Sequence, residues 1–129
     1  MSPAENTQFS PHLVAERDRL LHAIIQIRQA GNVAQAHCWL IEKPDTKGER
    51  TYTYVYLVTE PPGKQKTSKS LGKPGSEKHR DWKKAIARRD AIAELEQQLK
   101  LLEALIDRQA ATAERVAIAL IKSESPASK

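Results

Sequence analysis

No glycine or proline interrupts the chain between Glu77 and Lys122. A run of that length without either residue reads as one helix, roughly 70 Å long at 1.5 Å per residue. Trp82, Ala85, Ile86 and Arg89 open an apolar stripe along it. Ile92, Leu95, Leu99, Leu102, Ile106, Gln109, Ala113, Val116 and Leu120 continue the stripe in alternating steps of three and four. A small domain cannot bury so long a stripe alone. The helix must fold back, pack along another helix, or pair with a second chain. Gln109 and Ala113 weaken its middle, so two helices divided at Ala110–Thr112 stand as the alternative. Ser76 is placed to cap its start.

Ahead of that helix the pattern changes twice. Ser10-Pro11 has the form of an N-cap followed by proline at the first helical position. Leu13, Val14, Leu20, Leu21, Ile24, Ile25 and Ile27 then recur at helical spacing, and Gly31-Asn32 stops them, which predicts a helix over 11–30. Residues 36–42 are short, apolar and bounded by Pro44, the signature of a strand; Asp45 to Gly48 reads as a turn. Arg50 to Glu60 alternates strictly, with Tyr52, Tyr54, Tyr56 and Val58 on one face and Thr51, Thr53, Val55, Leu57 and Thr59 on the other. Pro61-Pro62-Gly63 makes a second turn, and Lys64 to Leu71 a third strand, less apolar and at an edge. Two turns joining three strands imply an antiparallel meander.

The expected architecture is therefore α+β: a flexible N-terminus over 1–10, a single domain over 11–122 (helix 11–30, sheet 36–71, long helix 77–122), and a disordered tail over 123–129. A length of 129 residues suits one modest core. With Cys38 the only cysteine, no intramolecular disulfide forms, in keeping with a reducing compartment. The N-terminal residues lack a secretory pattern and no segment is apolar enough to span a bilayer, so a cytoplasmic protein is expected.

Net charge is +5, an ordinary value until it is mapped. From Pro61 to Arg89 there are ten Lys or Arg residues against Glu77 and Asp81, a surplus of +8, while the flanks are mildly acidic. Lys64, Lys66, Lys69 and Lys73 fall on or just after the third strand. Lys78, Arg80, Lys83, Lys84, Arg88 and Arg89 fall on the first turns of the long helix. Arg80, Lys84 and Arg88 are spaced by four and form one ridge, where like charges repel. Cations near a helix N-terminus also oppose the macrodipole. A polyanion relieves both costs, with Gln65, Thr67, Ser68 and Ser70 as neutral donors to phosphate. This reading requires the cations to form one continuous, water-facing patch. The rival readings of the same charge are a solvated or acidic-protein-binding face and an anionic membrane surface, the last disfavoured because no broad apolar face adjoins the lysines.

Tyr52, Tyr54 and Tyr56 invite base stacking. The expectation set against it is that Tyr54, Tyr56 and Val58 form the core face and leave the threonine-rich face wet. Trp39 and Trp82 are expected in the core, locking the sheet to the start of the long helix. No enzyme is expected. His12, His22, His37 and His79 include no helical metal pair, Gly72 to Gly75 lacks a phosphate-loop pattern, Ser76 is better explained as a cap, and Glu94 and Glu96 sit outside the helix stripe. Neither a metal, a cofactor nor a small-molecule substrate is called for.

The succession Tyr52-x-Tyr54-x-Tyr56, Lys64-Gln65-Lys66 and Ser70-Leu71-Gly72-Lys73 resembles short proteins of prokaryotic mobile elements and N-terminal segments of some transposases. In these a tyrosine-rich strand, a Gly-Lys turn and a Leu-Gly-Lys step precede a helix. More distantly, it resembles the three-strand-plus-helix DNA-binding arm of phage-type integrases. The resemblance covers Trp39 to Leu99. It implies DNA contact by the sheet and by Lys64, Lys66, Lys69 and Lys73, in a binding or accessory factor without a nuclease or recombinase domain of its own.

The sequence thus points to a non-enzymatic nucleic-acid-binding protein, DNA favoured over RNA, contacting phosphates through the basic segment 64–89. Its long helix dimerises or packs on the first helix. The alternative is a scaffold or adaptor whose apolar stripe over 92–120 recruits a protein partner.

Overall fold

The computed structural model describes residues 10–123. Apart from Ser10 and Ser123, the segments anticipated as a flexible N-terminus and a disordered tail lie outside the described residues. The elements run α1 (Pro11–Ala30), β1 (Cys38–Lys47), β2 (Arg50–Thr59), β3 (Thr67–Gly72) and α2 (Glu77–Ala119). The three strands form one antiparallel meander in the order β1-β2-β3. The class is α+β, as the sequence implied.

The ends of the helices follow from their caps. The Ser10 carbonyl accepts from the amides of Leu13 (3.1 Å) and Val14 (3.2 Å), which starts α1. Ser76 caps α2 as expected: its hydroxyl accepts from the His79 amide at 3.2 Å and donates to the Leu71 carbonyl at 2.9 Å, tying the helix start to the end of β3. No break occurs near residue 110; α2 is continuous for 43 residues. It closes at Ala119, short of Lys122, where Ile121 N–H bonds the Ile118 carbonyl in a tighter final turn.

β1 is longer than its composition suggested. It continues through Pro44 to Lys47, so the turn is Gly48-Glu49 and not Asp45 to Gly48. β1 is an edge strand, and proline's missing N–H costs nothing on the unpaired side. Gly48 takes a positive φ of 65°, the geometry that a two-residue hairpin needs at its first central position.

The described chain divides into two compact units, one of residues 24–94 and one of residues 10–23 with 95–123. In the first, Ala34, Cys38, Val55, Leu57, Leu71 and Ala85 form a buried cluster, with Leu40, Trp82 and Ile86 packed against it. The sheet therefore presents its Val55/Leu57 face to the first turns of α2. This overturns the core face anticipated for Tyr54 and Tyr56. Both rings are half-buried on the opposite side. Tyrosine keeps its hydroxyl wet there, while Val55 and Leu57, wholly apolar, lose less by burial. Val58, on the tyrosine side and opposite Trp39 in register, is nevertheless buried. Trp82 is a core-side residue as expected; Trp39 is not, remaining 37% exposed.

In the second unit Leu20 and Ile106 are buried. A shallow groove of about 310 Å³ lies between the two helices there, lined by Glu16, Leu20, Gln98, Leu101, Leu102 and Leu105. The stripe along α2 is covered at Ile106 but open at Val116 and Leu120, so its last turns are apolar and wet.

Candidate nucleic-acid interface

Antiparallel register decides which side chains share the open face of the sheet, since directly paired residues point the same way. β1 contributes Trp39, Ile41, Lys43, Asp45 and Lys47. β2 contributes Arg50, Tyr52, Tyr54, Tyr56 and Val58, and β3 contributes Ser68 and Ser70. Four cations gather on or beside this face: Lys43, Lys47, Arg50 and Lys66, the last just ahead of β3. Asp45, 3.9 Å from Lys47, is the carboxylate that the paired strand residues put on this face, and Glu60 follows β2 at its end.

The cations are laid over the aromatic rings. Lys43 Nζ stands 5.7 Å from the centroid of Tyr56, Lys47 Nζ 5.9 Å from Tyr54, and Lys66 Nζ 6.0 Å from Trp39. Each ring's negative face holds an ammonium in place without neutralising it. The result is a corrugated aromatic surface carrying fixed positive charge, with the hydroxyls of Ser68 and Ser70 along one margin.

The basic residues singled out from sequence do not form one surface. Lys64, Lys66, Lys69, Lys73, Lys78, Arg80, Lys83 and Lys84 are all exposed, and none makes an ion pair among the described residues. Their directions differ. Lys66 joins the open face. Lys69 pairs with buried Leu57 and so projects on the helix side of the sheet edge. Lys64 lies in the β2–β3 loop and Lys73 in the turn before α2. Arg80 and Lys84 fall on the side of α2 away from Trp82, Ala85 and Ile86, because helical residues two apart point in nearly opposite directions. The sheet therefore separates Lys66 from Lys69 and from the outward cations of α2, and the ten residues do not share one face.

Arg88 and Arg89 take structural roles. Arg88 Nη1 donates to the Asn32 carbonyl at 3.0 Å, and its guanidinium packs so closely on Gly31 that a Cβ there would lie 2.6 Å away. Arg89 Nη1 donates to the carbonyls of Gln35 (2.9 Å) and Cys38 (2.8 Å), while its Nε pairs with Asp90. His79 is likewise engaged, accepting from the Gly75 amide at 2.9 Å.

Sequence reasoning passed over Lys43, Lys47 and Arg50, whose segment is slightly acidic when charge is summed along the chain. The available signals were the period-two spacing of Arg50 with Tyr52, Tyr54 and Tyr56 and the even separation of Lys43 from Lys47, which a first strand ended before Pro44 could not use. A cleft of about 430 Å³, lined by Asn32, Val33, Ala34, Gln35, Asp81, Trp82 and Ala85, opens between the α1–β1 link and α2. Among the described residues no three His, Cys, Asp or Glu side chains are placed to hold a metal ion, and no helix is long and apolar enough to cross a membrane. No family model, curated protein or solved structure matches the chain.

Proposed function

We propose that this protein is a non-enzymatic nucleic-acid-binding module that engages duplex DNA with the open face of its sheet. The observation that carries the reading is the alignment of Lys43, Lys47 and Lys66 over Tyr56, Tyr54 and Trp39 on the side of the sheet away from the buried Val55/Leu57 cluster. The ammonium groups of Lys43 and Lys66, which make no ion pair among the described residues, favour phosphate, and such contacts release counterions. The lysines cover the ring faces that unstacked bases would need, which favours a duplex over a single strand. Three strands spaced by about 5 Å span roughly 10 Å, a width compatible with the roughly 12 Å major groove of B-DNA. The major groove of A-form RNA is too narrow to admit side chains, which favours DNA.

Gel shifts with duplex DNA, single-stranded DNA and structured RNA of equal length, each at several salt concentrations, test this. Duplex DNA should bind tightest and weaken steeply with salt, and Lys43→Glu with Lys66→Glu should remove the shift. Equal affinity for single strands, or binding indifferent to salt, contradicts it.

A second reading, a scaffold or adaptor, is favoured by a separate observation. Val116, Ile118, Leu120 and Ile121 are 48–75% exposed at the end of α2, where a partner helix or a second copy would cover them. The two readings are compatible, since they use different parts of the chain.

A further inference from the structure

We infer that the protein bridges two duplexes, one held on the open sheet face and a second on the outer side of the first turns of α2. The inference rests on the reading just given for the sheet.

Arg80, Lys83 and Lys84 are exposed and make no ion pair among the described residues. Residues 77–88 hold Lys78, Arg80, Lys83, Lys84 and Arg88 against Glu77 and Asp81, a surplus of +3. The open sheet face, counting Lys43, Lys47, Arg50 and Lys66 against Asp45, also carries +3. Two costs of the helix cluster are only partly offset by Glu77 and Asp81: repulsion between Arg80 and Lys84 one turn apart, and positive charge at the N-terminal end of the helix dipole. A polyanion removes both.

That polyanion is not the one on the sheet. The inner face of the sheet packs on Trp82, Ala85 and Ile86, so the cations of the helix point out of the opposite side of the layer. With a helix about 10 Å across and a sheet beneath it, the two charged surfaces stand on the order of 20 Å apart. DNA has a persistence length of about 150 base pairs and does not wrap around so small a body unaided. The helix ridge therefore meets a separate segment. It offers point charges without aromatic rings, so its contacts go to phosphate and read no sequence.

The experiment uses the full chain with one duplex fixed to beads and a second, fluorescent duplex free in solution. Wild type should carry the free duplex onto the beads, while beads without protein do not. Arg80→Glu with Lys84→Glu should leave the ordinary one-duplex gel shift within about threefold yet lower the recovery at least about tenfold. Lys83→Glu with Lys84→Glu serves as a second, overlapping pair. Acidic residues suit the start of a helix, so both variants should melt like wild type by circular dichroism. Wild type that shifts duplex but never recovers the second one overturns the bridging inference and leaves the sheet reading intact. Undiminished recovery by the helix variants also overturns it, since bridging would then run through paired chains. Absence of any duplex shift overturns the sheet reading and the inference together.

Discussion

Arg89 and Cys38 are joined twice, through an Nη1 donation to the Cys38 carbonyl at 2.8 Å and a 3.4 Å approach to its buried thiol. The same nitrogen reaches the Gln35 carbonyl, so one guanidinium fastens α2 to the entry of β1. The Arg89 side chain is only 22% exposed. Replacing it with alanine leaves two carbonyls without their charged donor and should cost about 2–4 kcal/mol. Arg89→Lys, a point charge without the planar fork, should recover only part of that loss. Urea unfolding with an unchanged slope checks both values; wild-type stability in Arg89→Ala would show that water replaces the clamp.

The orientation of the sheet is open to a paired test. Leu57 is 6% exposed and faces α2, whereas Tyr56 lies on the other side beneath Lys43. Leu57→Ala should cost about 2–5 kcal/mol, as large-to-small core changes do. Tyr56→Ala should cost only about 1 kcal/mol, the scale of a cross-strand contact, and should weaken duplex binding. If the tyrosine proves the costlier of the two in thermal or urea unfolding, the faces are reversed.

How far the sequence could be read depended on whether neighbours along the chain or across it held the information. α1 was legible because Ser10-Pro11 and Gly31 punctuate a periodic run, and α2 because nothing between Glu77 and Ala119 breaks a helix. Alternation in β2 located its two faces correctly but was silent on which is buried. Val55 and Leu57 against Tyr54 and Tyr56 is a choice made by what α2 packs upon it, a contact far away in sequence. The charge map failed for the same reason. It pooled Lys66 with Lys84, close in sequence and on opposite sides of the fold, and left out Lys43 and Lys47, distant in sequence from Lys66 and beside it on the sheet.

Salt dependence should count the cations of the sheet. Lys43, Lys47, Arg50 and Lys66 each meeting one phosphate give a slope of about −3 to −4 for log affinity against log salt concentration. Lys66→Ala should flatten that slope by about 1 and weaken binding evenly across sequences. A slope unchanged in Lys66→Ala would mean that its ammonium stays over Trp39 and never reaches the backbone.

Acid should touch the Glu16–Arg19 pair in one direction only. The Arg19 guanidinium, donating to Glu16 Oε1 at 2.8 Å, holds the carboxyl below its ordinary range, and the carboxylate in turn raises Arg19. A depressed folded-state value means that the contribution is complete above the ordinary carboxylate pKa of about 4.3 and fades as pH falls through the lowered value. Arg19 is exposed and Glu16 partly so, and the effect is small and screened by salt. Glu16→Gln should therefore melt slightly below wild type near neutral pH and with it at about pH 2. A gap that widens on acidification would assign the pair the wrong sign.

The apolar stripe of α2 should divide sharply along its length. Ile106 is 5% exposed in the unit that also buries Leu20, while Ile118 is 63% and Leu120 75% exposed. Ile106→Ala should then cost about 2–5 kcal/mol. Ile118→Ala and Leu120→Ala should each change stability by less than about 0.5 kcal/mol, since little burial is lost and alanine is the stronger helix former. Urea unfolding of the dilute protein gives these values, and repeating it at high concentration adds a second reading. If Leu120→Ala becomes costly only when the protein is concentrated, a second copy is covering the end of α2, and the unfolding midpoint of wild type should rise with concentration in step.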